Sequence, residues 1–137
     1  MQETSYEKLQ RWEDALHVYE KKQRDDPLNF EVTLGRMRCL AGLGEWDQIA
    51  SLAGEIWRTA KEPTRISFAP VCAEASWNLG KWDEMANYVH AIDPRSTESW
   101  FYKSVLAVHD RKWADATKCI QKARSMIDTD LSLLLQY

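Results

Sequence analysis

"LGEWDQ" at residues 43–48 returns as "LGKWDE" at 79–84, and this repetition constrains the fold more than any other feature of the chain. Four segments align on a tryptophan: "RWEDALHVYE" at Trp12, "EWDQIASLAG" at Trp46, "KWDEMANYVH" at Trp82 and "KWADATKCIQ" at Trp113. The successive intervals are 34, 36 and 31 residues. Two helices of about 13–15 residues with two short loops occupy such a period, which is the signature of stacked helical hairpins. Each hairpin buries its apolar face only against a neighbour, so the units stack in one direction.

The apolar residues after each tryptophan recur in steps of three or four. The series are Trp46, Ile49, Leu52 or Ala53, Ile56; Trp82, Met85, Val89, Ile92; and Trp113, Ala116, Ile120, Ala123, Ile127. That spacing describes one face of a helix, whereas a strand would alternate every second residue. Gly44 and Gly80 stand two positions before their tryptophans, where a left-handed residue can close a helix. Trp12 and Trp113 follow "LQR" and "DRK" instead, which predicts different or looser turns there. The four tryptophans are expected to be buried at the hairpin joints. "DDP" (25–27), "EPT" (62–64) and "DPR" (93–95) mark junctions between hairpins, with Asp26 and Asp93 expected as N-caps ahead of a proline. These signals predict helices at 12–24, 28–42, 46–60, 64–79, 82–92, 96–110 and 113–127, with a partial helix before residue 10 completing the first hairpin. Pro70 falls inside the fourth, where it predicts a kink or, failing that, a shortened helix. The fold class that follows is all-α: a right-handed α-solenoid of about four helical hairpins, with residues 1–137 forming one segment.

A chain of 137 residues can bury one core, and its 45% hydrophobic and 28% charged composition is that of a folded protein. The net charge of −3, with basic residues scattered, argues against nucleic-acid binding, which needs a basic stripe. "VLAV" (105–108) and "LLL" (133–135) are too short to cross a bilayer, so no membrane insertion is expected. The N-terminal "MQETSYEKLQRW" lacks the apolar centre of a signal peptide, and a cytoplasmic location is expected.

Reactive chemistry finds little support. Cys39, Cys72 and Cys119 have neither a disulfide framework nor zinc spacing and are expected as core thiols. His17, His90 and His109 suggest no metal site. "GLGEWD" (42–47) lacks the third glycine of a phosphate-binding loop and sits at a helix end. Acidic pairs such as Glu13–Asp14 and Asp25–Asp26 are expected to be solvated helix residues. Arg36 and Arg38 lie on separated faces of one helix, so a shared anion site is not expected. No catalytic residue, cofactor or metal is assigned. The residues singled out are structural: Trp12, Trp46, Trp82 and Trp113 at the repeat joints, with Gly44 and Gly80 forming turns. The helix at 96–110 spreads Trp100, Phe101, Val105, Leu106 and Val108 over more than one face and is expected to be covered on both sides. "LSLLLQY" (131–137) predicts an uncovered apolar end through which the isolated segment self-associates.

The repeat length and "DPRSTESWFYKS" (93–104) resemble the tetratricopeptide repeat, although Lys103 and Ser104 stand where that repeat usually has leucine and glycine. The series "YEKLQRWEDALHVYEKK" (6–22), "LGRMRCLAGLGEWDQ" (34–48), "WNLGKWDEM" (77–85), "FYKSVLAVH" (101–109) and "CIQKARSMID" (119–128) resembles the FAT region of the target-of-rapamycin kinases. This resemblance implies a non-catalytic scaffold segment excised from a larger FAT domain of a phosphatidylinositol-3-kinase-related serine/threonine kinase. It also implies partners that are proteins: the rest of the parent kinase and accessory subunits of its complex. The parent would be cytoplasmic, with recruitment to endomembranes through that complex. The alternative is a free-standing tetratricopeptide adaptor that binds a peptide or partner protein in its concave groove.

Overall fold

No glycine or proline interrupts residues 2–25, and most of that stretch consists of good helix formers. In the computed structural model, which describes the backbone of residues 2–135 and the side chains from Leu9 to Leu135, it is one helix, α1 (Gln2–Asp25). Trp12 therefore sits in mid-helix, and the expected first hairpin with a turn before residue 12 does not form. Six helices follow: α2 (Phe30–Gly42), α3 (Trp46–Thr59), α4 (Glu62–Asn78), α5 (Trp82–Ala91), α6 (Thr97–His109) and α7 (Trp113–Leu135). The architecture is all-α. Tight turns join α2 to α3, α4 to α5 and α6 to α7, giving three complete hairpins with α1 packed in front of them along α2.

All three turns close in the same way. Gly44 has φ +75° and Gly80 φ +70°. Glu45 N–H donates to the Leu40 carbonyl at 2.9 Å, and Lys81 N–H to the Ser76 carbonyl at 2.9 Å. The third turn was expected to differ because it lacks glycine, yet Arg111 takes φ 60° and Lys112 N–H donates to the Ala107 carbonyl at 2.8 Å. The hydrogen-bonded closure of α6 holds a non-glycine residue in the left-handed region, at a strain of about 1–2 kcal/mol. Arg111→Gly is therefore expected to stabilise the protein by about 1 kcal/mol. A thermal midpoint that falls instead would show that the arginine side chain matters more than its backbone strain.

The junction caps also differ from the proline-led expectation. Asn29, not Asp26, caps α2, its side chain accepting from Glu31 N–H at 3.1 Å and Val32 N–H at 3.3 Å. Ser96, not Asp93, caps α6 by accepting from Ser99 N–H at 3.3 Å. Asp93 shapes the preceding turn, accepting from Arg95 N–H at 2.9 Å. The reason is geometric: both prolines fall in connecting turns, so a helix starts only at the next residue able to accept from its free amides. Pro63, by contrast, occupies the first turn of α4, where its missing N–H costs nothing. Pro70 neither shortens nor breaks α4, which is helical from Glu62 to Asn78.

Two apolar clusters meet on α4. Phe68, Val71, Cys72 and Ala75 pack with Met37 and Leu40 of α2 and Ile49 and Ala53 of α3. Ala69 and Ala73 pack with Met85 and Val89 of α5, Ile92 and Tyr102. Thus α4, not α6, is the helix covered on both sides. On α6, Phe101 and Val108 are exposed, contrary to the reading of that helix as doubly buried.

The repeated indoles are not core residues. Trp46 and Trp82 are half-buried at the rims of the two clusters, Trp12 is 39% exposed and Trp113 62% exposed. Trp46, Trp82 and Trp113 open α3, α5 and α7, while Trp12 lies within α1 with its ring against Gly42 of α2. The buried positions are those three residues further on, at Ile49, Met85 and Ala116.

Candidate interaction surface

Helices α2, α4 and α6 are the first helices of the three hairpins, and they line up across one face. Leu34 and Arg38 of α2, Ser67, Pro70 and Glu74 of α4, and Glu98 and Tyr102 of α6 line a groove of 300 Å³ there. The hairpin register places them together. Arg38 and Glu74 stand eight residues before Trp46 and Trp82, while Val71 and Tyr102 stand eleven before Trp82 and Trp113. Leu34, Val71 and the Tyr102 ring supply an apolar floor, and the two carboxylates rise from adjacent first helices.

The electrostatics of this groove are unbalanced. The ion pairs among the described residues are His17–Glu20 at 3.8 Å and Arg95–Asp93 at 3.3 Å, so neither Glu74 nor Glu98 is paired. Burial holds the Glu74 carboxyl above its ordinary value, and the charge of Glu98 raises it further. Burial, then Glu74 and Glu98, likewise raise the Tyr102 phenol. Tyr102 is only 8% exposed, yet its hydroxyl is not among the buried polar side-chain atoms without a partner in the described residues, which are Arg36 Nε, Arg65 Nε and Ser99 Oγ. A carboxyl whose folded pKa is raised favours folding while protonated and loses that advantage as pH rises through the folded value. Glu74→Gln is thus expected to raise the thermal midpoint at neutral pH, with the difference vanishing below the ordinary value of 4.5. Melting curves across that pH range provide the check, and a glutamine variant less stable at pH 7 would contradict the assignment.

A larger cleft of 790 Å³ opens where the end of α3 meets α4 and α5. Its aromatic and cationic groups engage one another. The Arg65 guanidinium lies 5.3 Å from the Trp57 ring centre and donates to the Trp57 carbonyl at 2.7 Å. Trp57 meets Tyr88 edge-on at 4.9 Å. Arg65 thereby satisfies a carbonyl in the last turn of α3 and fastens the α3–α4 joint. With Glu62, Glu84, Asp93 and Arg95 at its rim, the cleft presents both signs of charge and no single ligand chemistry.

No reacting group emerges at either place. Burial pushes the Cys72 thiol up to about 12, which suppresses the thiolate that nucleophilic attack requires. His109 stacks on Trp82 at 3.8 Å between ring centres, and His17 faces Glu20. Among the described residues, no group of three metal-ligating side chains converges. No helix among them is long and apolar enough to cross a membrane. Trp46, Trp82, Trp113, Gly44 and Gly80 lie at the three hairpin turns and Trp12 lies within α1, so the singled-out residues do not converge on a site. Glu74, Glu98, Tyr102 and Arg65 received no role from the sequence, although the repeat register that aligns the tryptophans sets Glu74 at the place of Arg38 and Tyr102 at the place of Val71.

Comparison with known proteins adds to this geometry. Residues 69–137 match the family model described as the FAT domain. The chain is similar to the serine/threonine-protein kinase TOR2 of Saccharomyces cerevisiae, with 41% identity over 98% of its own length. It is 37% identical to the serine/threonine-protein kinase tor1 of Schizosaccharomyces pombe over 98% of its length, and 34% identical to mTor of Drosophila melanogaster over 93%. The chain spans about 6% of the length of the two yeast relatives and 5% of the fly one.

Proposed function

Because the chain belongs to the FAT domain family, we propose that it is a non-catalytic scaffold segment of a target-of-rapamycin-type serine/threonine kinase. One observation carries this reading. The match to such kinases runs through nearly the whole of this chain while occupying a small fraction of theirs. A stack of helical hairpins is suited to the role, because it holds surfaces apart at defined spacing without a reacting centre of its own.

In this reading the chain is one stretch of a longer FAT solenoid, its partners are the rest of the parent and the subunits that assemble with it, and the complex works in the cytoplasm. The end of α7 supports it. That helix has 23 residues against 13 in α6, so roughly 15 Å of it runs past its neighbour at 1.5 Å per residue. Ile120, Ile127 and Leu134 follow Trp113 at every seventh position and are all exposed, with Leu131 beside them. An apolar edge of this length calls for a covering element. The test is to express the parent kinase with and without residues 2–135 and compare its co-purifying subunits and its activity. Loss of assembly is the expected result. A deletion that leaves both assembly and activity intact would overturn the scaffold reading.

A further inference from the structure

Successive hairpins meet at two joints, and the two are built differently. At the first, where α2 and α3 meet α4, Phe68 is 1% exposed among Met37, Leu40, Ile49 and Ala53. At the second, where α4 and α5 meet α6, the equivalent place holds Ser99. It stands fourteen residues before Trp113, as Phe68 stands fourteen before Trp82. Ser99 is 0% exposed, and its hydroxyl has no hydrogen-bond partner among the described residues. A small polar group thus takes the place of a ring and is left unsatisfied. The second helix at this joint is also shorter, since α5 has 10 residues where α3 has 14, about one turn less. Beside it an apolar cleft of 370 Å³ stays open against Trp77, Val105 and Val108. The rings that cross the joint are the Trp82–His109 stack at 3.8 Å and Trp77 edge-on to Tyr102 at 6.2 Å.

We propose that the joint between α5 and α6 is a hinge, on which α6 and α7 turn together as one body against α1 to α5. Among the described residues α7 packs on α6 alone, with Ala116 and Ala123 buried against it, so the last hairpin has no second attachment to hold it back. The closed arrangement is held by the rings and opposed by Ser99. A buried hydroxyl without a partner destabilises the state that buries it, and a movement that admits one water satisfies it. The first joint has no such orphan, and the Phe68 ring keeps it shut because parting it would expose a large apolar surface. The consequence is a change in angle between whatever is fastened to the two ends of the stack. This inference goes beyond the scaffold reading and does not depend on it, since the hinge is a property of the chain alone.

The test is pulsed dipolar spectroscopy on the full 137-residue chain. Spin labels are carried in pairs by ketone-bearing residues at the exposed positions Glu55, Asn87, Glu98 and Gln121, which leaves the three cysteines untouched. The Asn87–Gln121 distance spans the second joint and is expected to show two populations. Glu55–Asn87, across the first joint, and Glu98–Gln121, within the last hairpin, are each expected to show one, with about half the overall width. Ser99→Ala should shift the Asn87–Gln121 populations about tenfold toward the closed one, because no hydroxyl remains to be dried. The better helix propensity of alanine acts alike in both arrangements, so the populations read the joint and not the helix. A single narrow Asn87–Gln121 distance would overturn the proposal, as would control pairs equally broad. Populations in the alanine variant that match those of the parent chain would overturn it too.

Discussion

Phe68→Ala is expected to destabilise the protein by about 3–5 kcal/mol, the usual cost of removing a buried ring. Phe68 is 1% exposed and sits on α4 among Met37, Leu40, Ile49 and Ala53, with Phe30 edge-on at 6.2 Å. A domain of this size has only about 5–15 kcal/mol of net stability, so the variant should be partly unfolded at ordinary temperatures. Trp113→Ala, at a ring 62% exposed, should lower stability by less than about 1 kcal/mol. Urea denaturation of the two variants side by side checks the order. If the tryptophan variant proved the weaker, the placing of the core on the residues after the indoles would be wrong.

The second large effect is a reversal of sign. Gly35 lies beneath the Tyr19 ring, and a Cβ built on it would stand 2.5 Å from Tyr19 Cζ; one on Gly42 would stand 2.5 Å from Trp12 Cε2. The pairs Tyr19–Gly35 and Trp12–Gly42 are both seven residues apart along each helix and run in opposite directions. They form an antiparallel seam in which each ring of α1 rests on a bare backbone of α2. Gly35→Ala should therefore displace the Tyr19 ring and lower stability by about 1–3 kcal/mol despite the better helix propensity of alanine. In a Tyr19→Ala background the same change should raise stability, by about 1 kcal/mol, because only the propensity gain remains. A double-mutant cycle measures the coupling. Additive effects would show that ring and glycine do not bear on each other.

Much of the fold could be read in the chain, and the failures have identifiable causes. The bodies of α3, α5 and α7 announce themselves through apolar steps of three and four, proline-bearing junctions bound the helices between them, and Gly44 and Gly80 mark two turns. The turn at Arg111 was expected to be different or looser, because the third hairpin imposes a left-handed residue through its hydrogen bonds, with no glycine to signal it. The unbroken α1 was obscured because Trp12, aligned with residues that open helices, suggested an opening where the local sequence contains no stop. Asn29 and Ser96 were overshadowed by the prolines near them, though each is a capping residue type. Burial of the indoles was overestimated because periodicity reports which face a residue shares, not how completely a neighbour covers it. The groove residues were legible in principle. Arg38 and Glu74 occupy equivalent places in successive hairpins, as do Val71 and Tyr102, but these side chains only acquire meaning once the first helices are known to lie side by side.

The sharing of α4 between two clusters has a mechanical corollary. Phe68, Val71, Cys72 and Ala75 face one cluster while Ala69 and Ala73 face the other, and Tyr88 touches both. A pull applied to the two ends would load α1 and α7 first, since each is fastened mainly along a single neighbour. The middle of the molecule would then give way as one block, because drawing α4 out of either cluster strips the other. Under tension such a chain yields like a rod with soft tips and a stiff centre, and force on either flank would reach the opposite one through a single helix.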